Sequence, residues 1–260
     1  MNDLFVRTGE LKDLRSYPKW AQEIVESCEP AKRRVLDHPI WAMMREGTLP
    51  DAAMRSFLLG AWPLIEQFPK YMALNLLKAH YGRTRGETLA RRWLVRNIRV
   101  EQNHADYWLD WAEASGVSRS ESLRTESDPE AAILSHWCWQ ASASDTLAAG
   151  MMATNYAVEG ITGEWAVLVT KDDIYAYGFD ARIRAKAMRW LKLHAEYDDT
   201  HPWEALEIVC TLVGAHPDPA LIDHLRSCVQ NTYIYKYLGI DQCLRNLQDM
   251  PDSTQEYVAA

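Results

Sequence analysis

Apolar residues recur at intervals of three and four along nearly the whole chain, the spacing of helices that bury one face. The pattern is sustained over 52–80, 86–115, 130–170, 180–213 and 218–247. Strict alternation of apolar and polar residues is absent and β-branched residues are sparse, so no sheet is expected. Thr48-Leu49-Pro50-Asp51 has the form of a helix entry with proline near the first turn. A polar loop from Gly116 ends at Ser127-Asp128-Pro129, a second helix start, and the run Gly214 to Pro219 closes one helix and opens the last. A turn rich in Tyr and Gly lies between Asp172 and Asp180, and Pro63 and Pro69 should kink or interrupt the 52–80 helix. There is no internal repeat and no linker long enough to separate domains. The expectation is therefore one all-α domain over 1–260, a bundle of about seven helices with a polar tail fraying from about 248.

Composition refines this only in part. The chain is 48% hydrophobic and 25% charged, an ordinary globular balance. Eleven Trp and twelve Tyr stand against four Phe, and large amphipathic rings suit a core that also walls a cavity. A net charge of -8, relieved only by short basic runs such as Lys32-Arg33-Arg34, argues against nucleic acid as a partner. The five cysteines are widely spaced without a C-x-x-C, a pattern of reduced thiols in a cytoplasmic protein. No apolar run reaches the roughly 18 residues of a membrane span, and the N-terminal residues resemble no export signal.

The charged groups on the helical faces change the picture more. His194, Asp198 and His201 stand at i, i+4 and i+7, one stripe on a helix that turns about 100° per residue. Glu101 and His104 form a Glu-x-x-His pair in 86–115, and Glu159 shares a face with Met152, Tyr156 and Gly163 in 130–170. Acids and imidazoles on buried faces need a charged partner. These three carboxylates and three imidazoles are all oxygen or nitrogen ligands, enough for two metal ions with positions left open. Open-sided sets of that kind favour Fe(II) that activates O2, with Mn as competitor, and helical bundles commonly house them. Pro202 leaves His201 between two readings, because the residue before proline avoids the α region. Either the helix ends at Thr200 and His201 caps a new one, with Glu204 at its third position, or a kink keeps His201 on the inner face. His38, His80, His136, His216 and His224 read as structural. Cys138, between Trp137 and Trp139, reads as a buried thiol, since its nearby base His136 points to a different helix face.

Asp37-His38-Pro39-Ile40-Trp41, followed by Glu46-Gly47-Thr48-Leu49, resembles the opening of the superfamily of TenA-type thiaminases, quinone-cofactor oxidases and haem-oxygenase-like proteins. Glu101-x-x-His104, Glu159 and His194-x-x-x-Asp198-x-x-His201 resemble the ligand set of its haem-oxygenase-like di-iron oxidases, nearest to the medium-chain fatty-acid decarboxylases that make undecene. The similarity runs over nearly the whole chain. It implies a seven-helix bundle that binds one or two Fe(II) ions, uses O2 and an external electron donor, and converts acids such as lauric acid into terminal alkenes and carbon dioxide by hydrogen abstraction at the β-carbon. Glu101, His104 and His194 are then the catalytic first-iron ligands, and Glu159, Asp198 and His201 complete a second site. Trp190, Met152 and Trp108, within one or two turns of ligands, are candidates to line the apolar tunnel such a substrate needs. The partners implied are a small-molecule fatty acid and an unidentified reductant, with a homo-oligomer left open. Three other readings compete: a di-iron oxidation of another substrate such as an amino acid, a metal-free hydrolase of thiamine fragments using Cys138, and a non-enzymatic interaction module.

Overall fold

A computed structural model describes residues 4–124, 128–197 and 200–248. In chain order the helices are α1 (Lys19–Leu36), α2 (Pro39–Arg45), α3 (Asp51–Leu77), α4 (Arg85–Glu101), α5 (His104–Ala114) and α6 (Arg119–Ser122). They continue with α7 (Pro129–Ser144), α8 (Leu147–Met151), a π-helical stretch (Met152–Val158) leading into α9 (Glu159–Thr170), then α10 (Ile174–Tyr177), α11 (Arg184–Ala187), α12 (Arg189–Tyr197), α13 (His201–Val213) and α14 (Pro219–Gln248). No strand occurs among the described residues, and none of their helices is long and apolar enough to cross a membrane. The expected tail beyond 248 lies outside the described residues.

Local chemistry sets the helix starts. The His38 imidazole accepts a hydrogen bond from the Ile40 N–H, capping α2 with Pro39 in its first turn. Asp128 accepts from the Glu130 N–H ahead of α7, and Asp218 from the Ala220 N–H ahead of α14. Gly214, at φ +91, ends α13 in a conformation that favours glycine.

Periodicity placed the helices but not all their breaks. The 86–115 segment is cut at Gln102 and Asn103, so Glu101 ends α4 and His104 begins α5. The 130–170 segment is cut at Asp145, whose backbone is extended, and Thr146 caps the new helix through the Ala149 N–H. The 180–213 segment is cut ahead of Pro202, and α13 opens at His201. Helical spacing resumes on both sides of each cut, which hides it from the pattern. In the other direction, α3 runs unbroken through Pro63 and Pro69.

In the bundle, α3 packs on α7, α14 and α4, α13 covers α4 and the π-helical stretch, and α12 lies between α9 and α5. An indole cluster fills the centre. Trp41 stacks on Trp165 at 4.5 Å, Trp165 on Trp190 at 5.5 Å, and Trp108 meets Trp190 edge-on at 4.8 Å. All are buried, each contributing on the order of 150–250 Å² of covered surface.

The close approach of α4 to α13 depends on Gly86, where an added Cβ would lie 2.7 Å from the Leu212 Cα and N. A backbone contact cannot yield as a side chain can. Gly86→Ala should therefore destabilise the protein by about 1–3 kcal/mol, despite alanine's better helix propensity, and the chemical-denaturation midpoint measures it.

Candidate metal centre

The last turn of α4, the first of α5, the first of α9, the middle of α12 and the first residue of α13 converge at one end of the indole cluster. Glu101 and His104 meet across the α4–α5 break, with Oε2 of the acid 2.7 Å from Nδ1 of the imidazole. Glu159 and His201 meet between α9 and α13, with Oε2 and Nδ1 3.2 Å apart. His194 stands beside the first pair, its ring 4.7 Å from that of His104. Five of the six residues expected from the sequence thus come together. The sixth, Asp198, lies outside the described residues.

The sequence left His201 between capping a new helix and facing inward; Thr200 stands at the cap position, and His201, the first residue of α13, faces inward. The chain breaks before Pro202, yet the side chain still reaches Glu159. Glu204, one turn on, accepts from Trp93 Nε1 at 2.6 Å and from Arg96 at 2.7 Å, which fixes the start of α13 against α4. The Trp93 ring meets His201 edge-on at 5.8 Å.

Glu159 is placed by a less ordinary device. A π-helical stretch precedes it, a geometry that recurs at functional sites. The Thr154 hydroxyl donates to Gly150 O at 2.8 Å, and Asn155 Nδ2 donates to Glu159 Oε1 at 2.6 Å. On the far face the Thr232 hydroxyl of α14 reaches Ala153 O at 3.1 Å and accepts from Trp137 Nε1 at 2.9 Å. Asn155, a turn before the acid, was missed in the sequence; its only signal is the i−4 spacing.

The donor atoms fit a metal. His104 Nδ1 and Glu159 Oε2 are buried and make no hydrogen bond. The His104 Nδ1 atom, 2.7 Å from the Glu101 carboxylate yet without a hydrogen bond, is thus open to a further partner. His194 Nδ1 lies 2.7 Å from Trp190 O, which accepts only a proton donor, so Nε2 keeps its lone pair. Burial, reinforced by His104, pushes His194 down to about 3, leaving a neutral ring of the kind metals bind. Burial raises the Glu159 pKa, with His201 and Asn155 opposing. Burial also works against charge on His201, but the Glu159 carboxylate outweighs it and holds that pKa above the ordinary value. The groups form two pairs with His194 beside one of them, an arrangement suited to more than one ion.

Two cavities flank these groups. One, of about 30 Å³, is lined by Leu64, Ile65, Phe68, Val158, Thr162 and Trp190 in addition to Glu101, His104, Glu159 and His194. The other, of about 310 Å³, shares His104 and His194 and carries Arg99 and Arg189. Of the expected tunnel residues only Trp190 lines the first. Met152 and Trp108 are core residues instead: Met152 is enclosed in the π-helical stretch, and Trp108 is turned away to donate to Leu58 O. The α3 residues were missed because nothing in an apolar stripe separates a cavity wall from plain core. Cys138 lines neither cavity and is fully buried, and burial pushes its thiol far up, against a role as nucleophile. A separate group, Asp145, His224 and Cys228, brings its ligand atoms within 4.8 Å of one another where the end of α7 meets α14. It lines neither cavity, and His224 there already pairs with Asp145 at 2.6 Å.

Comparison with known proteins gives these features a context. Residues 55–233 match the family described as iron-containing redox enzymes. The crystal structure of a TenA homologue from Pseudomonas syringae pv. tomato is 51% identical, with the match covering 94% of this chain and 100% of that one at a TM-score of 0.92. A domain of unknown function with a haem-oxygenase-like fold from Shewanella denitrificans matches 87% of this chain and 92% of its own at 15% identity and a TM-score of 0.69, a likeness of fold alone. The 4-aminobenzoate synthase of Chlamydia muridarum is 31% identical over 130 residues, 46% of this chain and 50% of that protein, so the match spans about half the length of this curated relative.

Two outcomes are expected. Asn155→Ala, which frees Glu159 Oε1, should weaken Fe(II) binding about 10–100-fold, measured by anaerobic titration, and His104→Ala should reduce bound iron further. Metal-free protein should lose stability as pH falls below about 6.5, because the unfolded chain then takes up a proton on His194 that the folded chain refuses until about 3. The His194 contribution amounts to about 2 kcal/mol between pH 6.5 and 5. His194→Gln should flatten that slope in denaturation midpoints measured across the range, whereas the raised pKa of Glu159 acts in the opposite direction and remains in both proteins.

Proposed function

Because the chain belongs to the family of iron-containing redox enzymes, with a TenA-like, haem-oxygenase-like fold, we propose that it oxidatively decarboxylates medium-chain saturated fatty acids to terminal alkenes. The observation that carries this reading is the lining of the first cavity. Apart from Thr162 and the Trp190 indole, every side chain on its wall that carries a polar group is a candidate metal ligand. Such a space suits a molecule with a metal-binding head and a body that makes no hydrogen bonds. An amino acid would find little there for a second polar group.

Glu101, His104 and His194 would hold one iron, and Glu159 and His201, with Asp198, a second. Bound iron supplies the O2 activation and one-electron chemistry that side-chain acids and bases lack. The chain's own residues bind, orient and exclude water. Trp190 O fixes the His194 ring through Nδ1, and Asn155 fixes Glu159 through Oε1. Leu64, Ile65, Phe68 and Val158 keep the hydrocarbon side of the cavity free of hydrogen-bonding groups. Arg99 and Arg189, in the cavity on the other side, place positive charge where a carboxylate approaches.

The balance of the reaction is fixed by its products. An acid becoming an alkene and carbon dioxide gives up two electrons and two protons. Reducing O2 to water takes four electrons, so an external donor provides the other two.

Protein reconstituted anaerobically with Fe(II), then given a reductant, O2 and saturated acids of graded length, should release the alkene one carbon shorter than the acid, read by headspace gas chromatography. No alkene from any acid removes the substrate assignment. Leu64→Phe, which fills the cavity, should move the optimum towards shorter acids, with discrimination of roughly fourfold per methylene at about 0.8 kcal/mol each.

A further inference from the structure

The indole cluster does more than fill space. The His194 ring lies on Trp190 with centroids 3.7 Å apart and planes 26° from parallel. Trp190 stacks on Trp111 at 5.8 Å and 21°, and Trp111 Nε1 donates a 2.9 Å hydrogen bond to the Tyr175 hydroxyl. Tyr175 is largely buried in the wall of a surface groove of about 200 Å³, beside Ile174, which is half exposed. An unbroken path of π contacts and one hydrogen bond thus joins a metal-facing imidazole to the surface.

Indole and phenol are the most readily oxidised aromatic side chains. We propose that Trp190, Trp111 and Tyr175 form a relay that carries an oxidising equivalent out of the metal centre to the groove, where a small one-electron reductant of the ascorbate class quenches it. The proposal rests on iron at that centre but not on the fatty-acid assignment.

One electron leaves the Tyr175 phenol, whose proton leaves by way of the Ser115 hydroxyl beside it, on the groove that both residues line. The electron moves through Trp111 and Trp190 and reduces the metal centre by one. The reductant then returns a hydrogen atom to the phenoxyl oxygen, so the net transfer is one electron from reductant to metal centre. Such an outlet matters when O2 reacts without substrate, because Trp190 is otherwise exposed to damage.

Charge chooses among the routes. Trp190 also stacks on Trp165, which stacks on Trp41, but both rings are fully enclosed, and the Lys236 amine sits 5.4 Å and 5.9 Å from their centroids. Burial lowers that amine to about 8, so it stays mostly protonated at neutral pH and opposes a positive hole on either ring. Tyr107 lies near His104 at 6.2 Å but carries the Arg189 guanidinium 3.9 Å above its ring, which opposes oxidation there too. The Trp190 Nε1 proton has no acceptor, so that ring cannot trap a hole by losing it. Tyr175, with Ser115 beside its hydroxyl in the groove wall, can.

The test exposes Fe(II)-loaded protein to O2 without fatty acid, followed by freeze-quench electron paramagnetic resonance and peptide mass spectrometry. A tyrosyl signal is expected in the parent protein and in Tyr107→Phe. Tyr175→Phe should lose it and gain several-fold more oxidised Trp111 and Trp190, and ascorbate should suppress that damage in the parent but not in the variant. Trp111→Phe, a second break in the path, should also lose the signal. A tyrosyl signal that survives Tyr175→Phe, one that disappears instead in Tyr107→Phe, or no tyrosyl signal in protein that binds iron and consumes O2, overturns the relay. Protein that takes up no iron overturns both the relay and the metal reading. A Tyr175 radical in protein that makes no alkene supports the relay and removes only the substrate assignment.

Discussion

Burying a carboxylate is tolerable only where something positive or protic faces it, and Glu159 imposes that condition on this bundle. It is 5% exposed, walled by apolar residues, and carries one oxygen held by Asn155 and another beside His201. Glu101, 9% exposed, repeats the problem against His104. Removing either imidazole would leave a charge with too little compensation, and removing either acid would strand a ring. The two acids also line one cavity, so their charges act on each other. A cation between them relieves all these groups together, which is why the metal reading explains more than any pair taken alone.

The irregularities of the backbone serve that condition. A single straight helix would carry Glu101 and His104 on successive turns, and the break at Gln102 and Asn103 instead puts them at the end of one helix and the start of the next. Pro202 ends the run that began with α12 and lets His201 open a new helix facing Glu159. The π-helical stretch before Glu159 widens the turn that brings Asn155 onto the acid. Each departure from α geometry frees backbone groups, and nearby hydroxyls recover some of them, as Thr232 does for Ala153 O.

Most of the ligand set was legible because charged residues at helical spacing are conspicuous against an apolar pattern. Glu101, His104, Glu159, His194 and His201 stood out for that reason, although His194 and His201, aligned by one helical spacing, belong to two helices, α12 and α13. Helical content was legible as well, since the threes and fours survive a break of one or two residues. That same tolerance concealed the breaks at 102–103 and at Asp145. Cavity walls were not legible. Leu64 and Phe68 follow the same apolar rhythm as any core residue, and Met152 and Trp108, chosen for their distance from ligands, turn out to pack elsewhere. Which apolar residue meets empty space depends on how α3, α9 and α12 approach one another, and no one segment encodes that.

The abundance of tryptophan gains a sharper meaning from the same geometry. A core of leucine and phenylalanine would pack the bundle as well, but it would offer no hydrogen-bond donors. Trp93 uses its N–H to hold Glu204 at the start of α13, Trp137 to hold Thr232 behind the π-helical stretch, and Trp139 to reach Gln67 on α3. Trp20 closes on Gly214 O at the end of α13. Each of these indoles fills volume and fixes an element that carries or backs a ligand, two tasks that a purely aliphatic side chain cannot combine. Trp165 and Trp190 are different: their N–H groups are buried without acceptors, a penalty that packing alone does not require. Both lie in the stack that begins at His194, and phenylalanine would fill much of the same space without that penalty. Two unsatisfied indoles in one stack against a metal-facing imidazole are therefore a feature that filling the core does not account for.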